Sequence, residues 1–225
     1  MKIADTYTST SGSSQDSLET TDESSSIYAE ELALIQELEA PSLEEIKQKE
    51  IYLGIREEKY TLVIDLDETL VLSTQINDDS EEGCKFRVKI RPFLQNFFET
   101  IKGKFEMVVF TASDKKYAER VVEIIDKHHQ YIKKVVSREN CIQAAHEILV
   151  KDLRIFADRK ASELVIVDNS ILSFAFQLES GIPITSFQGN DDDEELSYLA
   201  DYLEMLYNEN DLITANKKLT GLVLV

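Results

Sequence analysis

Three unbroken apolar runs, Leu62-Val63-Ile64, Met107-Val108-Val109-Phe110 and Leu164-Val165-Ile166-Val167, constrain this chain more than any other feature. A strand with one wet face alternates apolar and polar residues; a run without alternation is buried on both faces. The shorter Lys134-Val135-Val136 and Ile182-Pro183-Ile184 extend the set. Between them stand apolar stripes at helical spacing: Leu94, Phe97, Phe98 and Ile101; Tyr117, Val121, Ile124 and Ile125; and finally Leu196, Leu199, Leu203 and Leu206. Pro92 suits the first turn of the earliest of these helices. The pattern predicts an α/β fold, a Rossmann-like parallel sheet covered by helices on both faces, with its first strand over 61–66. Ligands of such sheets sit at the C-terminal ends of the strands.

The flanks read differently. Residues 1–27 are Ser-, Thr- and acid-rich with almost nothing to bury, which predicts a disordered tail. Over 28–57, Tyr28, Leu32 and Ile35 fall at helical spacing, and Ser42 with Glu45 makes a capping-box pattern after Pro41, so two lead-in helices are expected. The main domain spans 58–207, and 208–225 is a C-terminal extension. Between the first strand and Arg91, the alternating Lys-Phe-Arg-Val-Lys-Ile at 85–90 predicts one exposed strand, with room for a second. That insert is short, and no interval is long enough for a large cap domain.

Composition narrows the partners. The 225 residues carry 43 acidic and 24 basic side chains, a formal charge of -19. Such a surface repels phosphate backbones, so neither direct nucleic-acid nor membrane binding is expected. Cys84 and Cys141 are far apart and lack metal-ligand spacing, which fits a reduced, intracellular protein of nucleus or cytoplasm. No apolar run approaches a membrane span, and the polar N-terminus does not read as a secretory signal. A monomer is expected.

The chemistry stands at the predicted strand ends. Ile64 runs into Asp65-Leu66-Asp67-Glu68-Thr69, placing two carboxylates two residues apart and so on one face. Alone, this pentapeptide is equally a polar turn after a buried strand. The next strand runs into Thr111-Ala112-Ser113-Asp114, which by itself reads as a helix N-cap. Lys151 lies in the apolar context Val150-Lys151-Asp152-Leu153, and the fourth strand ends in Asp168-Asn169-Ser170. Taken together, carboxylates, a hydroxyl, an ammonium and an acid-amide pair at one sheet edge are the parts of a Mg²⁺-assisted phosphoryl-transfer site.

In this order the motifs resemble the haloacid dehalogenase superfamily, specifically its small C-terminal-domain phosphatase-like branch. The matching residues are Asp65-Leu66-Asp67-Glu68-Thr69-Leu70-Val71, Arg91-Pro92-Phe93-Leu94, Phe110-Thr111-Ala112-Ser113, Val150-Lys151-Asp152-Leu153 and Val167-Asp168-Asn169-Ser170, with a weaker Ser186-Phe187. The resemblance implies a Mg²⁺-dependent phosphoserine/threonine protein phosphatase working through an aspartyl-phosphate, typically on the RNA polymerase II tail. It implies Asp65 as nucleophile and Asp67 as acid and base. It also implies Thr111 and Lys151 on the phosphoryl oxygens, Thr69 and Ser113 as supports, and a metal site drawn from Asp65, Asp67, Asp168 and Asn169. The insert is shorter and more acidic than the branch's usual three strands, and Gln143-Ala144-Ala145-His146-Glu147 lacks the arginine that usually precedes the lysine. The competing readings are a catalytically silent binding module on this fold and a small-metabolite phosphatase of the same superfamily.

Overall fold

A computed structural model describes residues 28–76 and 85–222. The tail at 1–27, Cys84, the acidic stretch 78–82 and the last three residues lie outside the described residues. Five parallel strands form the sheet: β1 (Tyr60–Ile64), β4 (Phe105–Phe110), β5 (Ile132–Val136), β8 (Leu164–Asp168) and β9 (Gly181–Pro183), in the order β5-β4-β1-β8-β9. β1 lies at the centre, pairing Leu62 with Met107 on one side and Val165 on the other. It ends two residues earlier than the sequence suggested, but the ladder continues: the Asp65 amide still donates to the Val167 carbonyl at 2.9 Å.

Side-chain alternation sorts the sheet into two cores. Leu62, Ile64, Met107, Val109, Val165 and Val167 face one layer; Val63, Val108, Phe110, Leu164 and Ile166 face the other. Helices α3 (Leu94–Ile101), α4 (Lys115–Ile125), α5 (Glu195–Tyr207) and α6 (Leu212–Thr220) cover the first face. The lead-in helices α1 (Ala29–Glu37) and α2 (Leu43–Gln48) cover the second through Ile35 and Ile46, together with short 3₁₀ turns carrying Leu153, Ile155, Ile171 and Phe174. The Ser42–Glu45 capping box forms as expected, with Glu45 N–H donating to Ser42 Oγ at 3.2 Å.

Three details differ from the sequence reading. Pro92 precedes the N-cap Phe93, whose φ of 63° is left-handed, so the proline sits in the turn before α3 and not in its first turn. On α4 the buried stripe is Ala118, Val121, Val122 and Ile125, while Ile124 is 53% exposed. The C-terminal extension holds α6, whose buried Asn216 donates to the carbonyls of Glu179 (2.8 Å) and Gly181 (2.9 Å) and accepts from Tyr202 (2.8 Å). α6 thereby caps the edge strand β9, satisfying a carbonyl that an open edge would leave unpaired.

The insert after β1 is a two-stranded antiparallel hairpin, β2 (Val71–Ile76) with β3 (Lys85–Ile90). A smaller hairpin, β6 (Ile142–Gln143) and β7 (Leu149–Val150), leads directly to Lys151. Among the described residues no cap domain stands over the strand ends.

Candidate active site

The loop after β1 is bent by one strained residue. Glu68 has a φ of 60°, a left-handed conformation that L-residues other than Asn and Asp rarely adopt. Its amide donates to the Val71 carbonyl at 2.7 Å, and its own carbonyl accepts from Phe187 N–H at 2.6 Å. Arg91 locks the same loop from beneath. Its guanidinium, almost fully buried, donates to Thr69 O (3.0 Å), Thr185 O (2.7 Å) and both oxygens of Asp193 (2.7 and 2.9 Å). One planar fork thus ties the β1 loop, the segment after β9 and the entry to α5 together.

Above this base the expected residues converge. Lys151 is 2% exposed. Its ammonium donates to Asp65 Oδ1 and, at 2.6 Å, to Asp168 Oδ2, so the two carboxylates lie one ammonium apart. Burial alone would discharge the lysine, but the two carboxylates override it and hold its pKa above the ordinary lysine value. Burial pushes the Asp65 carboxyl up to about 7; Lys151 opposes that rise and Asp168 adds to it. Asp168 is further fixed by Ser170 N–H, which donates to its Oδ1 at 2.9 Å.

Asp67 stands one shelf away with different partners. Its Oδ2 accepts from Ser113 Oγ at 2.8 Å and its Oδ1 from the Tyr117 hydroxyl. Thr111 is buried just past β4, where its Oγ1 accepts from Ser113 N–H at 3.0 Å and leaves the hydroxyl hydrogen available. Arg138 pins this loop, donating from Nε to Ala112 O at 2.6 Å and from its amide to Ser113 O at 3.1 Å. Asn169 donates from Nδ2 to Ser186 Oγ at 2.9 Å, and its Oδ1 is reached by Thr69 Oγ1 at a long 3.4 Å.

The structure therefore gathers every expected site residue at the C-terminal edge of the sheet, in two groups. Asp65, Lys151 and Asp168 form a buried triad, with Asn169 next to it in the chain and Thr69 facing Asn169; Asp67, Ser113 and Thr111 form the adjoining wall. Tyr117, Ser73 and the bracing role of Arg91 were not foreseen. Tyr117 read as core because helical spacing says nothing about where a hydroxyl reaches.

The oxygen donors Asp65, Asp168 and the Asn169 amide suit a hard divalent cation. With both carboxyls ionised, two carboxylates against one ammonium leave net negative charge for a cation to balance. Among the described residues no group of three or more His, Cys, Asp and Glu is arranged to hold a metal; Asn169, next to Asp168 in the chain, adds an amide oxygen to the two carboxyls. Beside Asp67 an open cleft of about 580 Å³ runs between the hairpin and α4, lined by Ser73, Gln75, Phe86, Lys116, Tyr117 and Arg120 among others.

Comparison with known proteins agrees with the family resemblance. CTD small phosphatase-like protein 3 of Caenorhabditis elegans is 37% identical over 158 residues, 66% of this chain and 54% of that protein. A probable C-terminal domain small phosphatase of Dictyostelium discoideum is 40% identical over 163 residues, 68% of this chain and 52% of its own length. The human carboxy-terminal domain RNA polymerase II polypeptide A small phosphatase 1 is 33% identical over 165 residues, covering 69% and 62%. The chain thus spans about half the length of the first two relatives and less than two thirds of the third. With the model of NLI interacting factor-like phosphatases matching residues 60–213, the chain belongs to that family.

Proposed function

We propose that this protein is a Mg²⁺-dependent phosphoserine/threonine protein phosphatase that works through an aspartyl-phosphate on Asp65. The observation that carries the reading is the buried Lys151 bridging Asp65 and Asp168 at the sheet's C-terminal edge, with Asp67 alongside. A fully buried lysine between two carboxylates is an expensive arrangement for stability alone, and perturbed ionisable groups in this position of an α/β sheet mark chemistry.

In the first half-reaction an Asp65 oxygen attacks phosphorus as the bond to the serine or threonine oxygen breaks. Asp67, acting as general acid, gives a proton to that leaving oxygen. In the second, water attacks the phosphorus of the aspartyl-phosphate, its proton passes to Asp67, and Asp65 is released with inorganic phosphate. Lys151 and the free Thr111 hydroxyl hydrogen stabilise the charge that builds on the transferring oxygens. Asp65, Asp168, Asn169 and the Asp67 main-chain oxygen would hold Mg²⁺, which when bound supplies positive charge to the phosphoryl group and keeps Asp65 ionised. Asp168 also sets the Lys151 ammonium, while Thr69 and Ser113 steady Asn169 and Asp67.

The substrate class follows from access. An open cleft without a cap over the described residues suits a protein loop better than a free metabolite. Lys116 and Arg120, one turn apart on its wall, make no ion pair with any described residue and offer local positive charge on a chain of net charge -19. The phosphorylated tail of RNA polymerase II, which the human relative's name points to, is the first candidate substrate, and the nucleus the corresponding compartment. The intact Asp65, Asp67, Lys151, Asp168 and Asn169 set speaks against a silent binding module.

The test is hydrolysis of a phosphopeptide panel and of sugar phosphates by the purified chain, with and without Mg²⁺. Efficient, Mg²⁺-dependent release from phosphoserine peptides is expected. Full activity in excess chelator, or preference for a sugar phosphate, refutes the reading.

A further inference from the structure

Tyr117 is absent from the roles given to the motif residues, yet it touches the group that must move a proton. It lies in the first turn of α4, whose N-cap Asp114 accepts from Lys116 N–H at 2.9 Å, so the helix start is fixed. The phenol reaches Asp67 Oδ1 on one side and Ser73 Oγ, on β2, at 2.5 Å on the other. A phenol has one hydrogen and a carboxylate oxygen only accepts, so the Tyr117 proton goes to Asp67 and the Ser73 hydroxyl donates to the phenol oxygen. The ring is clamped edge-on against Phe86 of β3, centroids 4.8 Å apart. An ordinary phenol, with a pKa of about 10, keeps its proton at neutral pH, so Tyr117 has that hydrogen to give.

With Ser113 on Oδ2 and Tyr117 on Oδ1, both oxygens of Asp67 are tied, one to the β4 loop and one to α4 and the hairpin. Each oxygen keeps a second lone pair for the transferred proton. Without the phenol the carboxyl group hangs from Ser113 alone and is free to turn about its terminal torsion.

We propose that Tyr117, set by Ser73, is a positioning residue that holds the Asp67 carboxyl in the orientation from which it protonates the leaving oxygen. This rests on the reading of Asp67 as general acid. Proton donation matters only where the leaving oxygen is basic, so misplacing the acid slows poor leaving groups and spares good ones. A purely structural role for Tyr117 would slow all substrates alike.

The experiment compares kcat/KM of the full chain and its Tyr117→Phe, Ser73→Ala and Asp67→Asn variants over aryl and alkyl phosphates of graded leaving-group basicity. Tyr117→Phe is expected to change nitrophenyl phosphate hydrolysis little and to lower that of phenyl and alkyl phosphates by roughly tenfold or more, a steepened dependence on leaving-group basicity. Ser73→Ala, which leaves the ring in place, gives the same pattern more weakly and serves if the Phe variant does not fold. Equal losses across the series in both variants, or no loss at all, overturn the proposal. Asp67→Asn separates the two layers. If it fails to steepen the dependence, the acid reading of Asp67 is wrong; if it steepens it and the Tyr117 and Ser73 variants do not, only the positioning role falls.

Discussion

Replacing Lys151 with methionine separates what the ammonium does for folding from what it does for chemistry. Lys151 is 2% exposed and is the cation between Asp65 and Asp168. Methionine keeps most of the apolar volume, so the change is chiefly one of charge. Removing one partner of a buried ionic cluster costs about 3–5 kcal/mol, because the remaining charges are left uncompensated. Asp65 already sits near pKa 7 with the ammonium present, and it rises further without it. A domain of this size holds about 5–15 kcal/mol, so anywhere above the bottom of that range the variant remains folded at 25 °C with a lower urea midpoint. Under the proposed mechanism activity falls further than stability explains, because losing a charge aimed at the transferring oxygens should lower kcat by about 10²–10³. Adding Asp168→Asn removes one of the stranded carboxylates and should recover about 1 kcal/mol or more, a coupling expected of residues in direct contact. It restores no activity. Urea denaturation and aryl-phosphate kinetics on the two variants check this together. A Lys151→Met protein within 1 kcal/mol of wild type, or a double variant that regains turnover, contradicts the buried triad and its catalytic role.

Other consequences lie away from the chemistry. Gly181 on β9 leaves no room for a side chain: an added Cβ would come within 2.1 Å of the Phe174 ring. Gly181→Ala should lower stability by about 1–3 kcal/mol, read as a reduced melting temperature. Asn216→Ala strips the donors from two carbonyls at the sheet edge and should cost a similar amount, with aryl phosphatase activity at 25 °C retained. In the β6–β7 turn, His146 and Glu147 both have positive φ, 57° and 60°, and both are exposed. Glu147→Gly relieves that strain and should stabilise by about 1 kcal/mol; a loss of stability would show that the glutamate makes a contact worth more than the strain.

How much of this was legible in the sequence depends on what each residue touches. The central strands were readable because Leu62-Val63-Ile64 and Leu164-Val165-Ile166-Val167 are buried on both faces and so carry no alternation. The Asp65–Asp67 pair was readable because two carboxylates seldom follow such a run without a reason. The first strand of the insert, Val71–Ile76, was hard to see: its outer half is Thr-Gln-Ile on an exposed surface, and only pairing with β3 defines it. Helix α6 is short and half polar, and its anchor is an asparagine whose value lies in two distant carbonyls. Nothing local to Lys151 shows that its ammonium is buried, since burial of a charge is decided by partners 17 and 86 positions away. Tyr117 escaped for the same reason, its partners being 44 and 50 residues distant.

The claim on which the rest depends is that Asp65 attacks phosphorus. Rapid acid quench of the chain during turnover of an aryl phosphate with Mg²⁺, followed by peptide mass spectrometry, tests it directly. The expected result is a transient phosphoryl group on Asp65 that forms and decays at rates consistent with turnover, and its absence, with loss of activity, in Asp65→Asn. A phosphoryl group on another residue, or an Asp65→Asn variant that turns over like wild type, would contradict it.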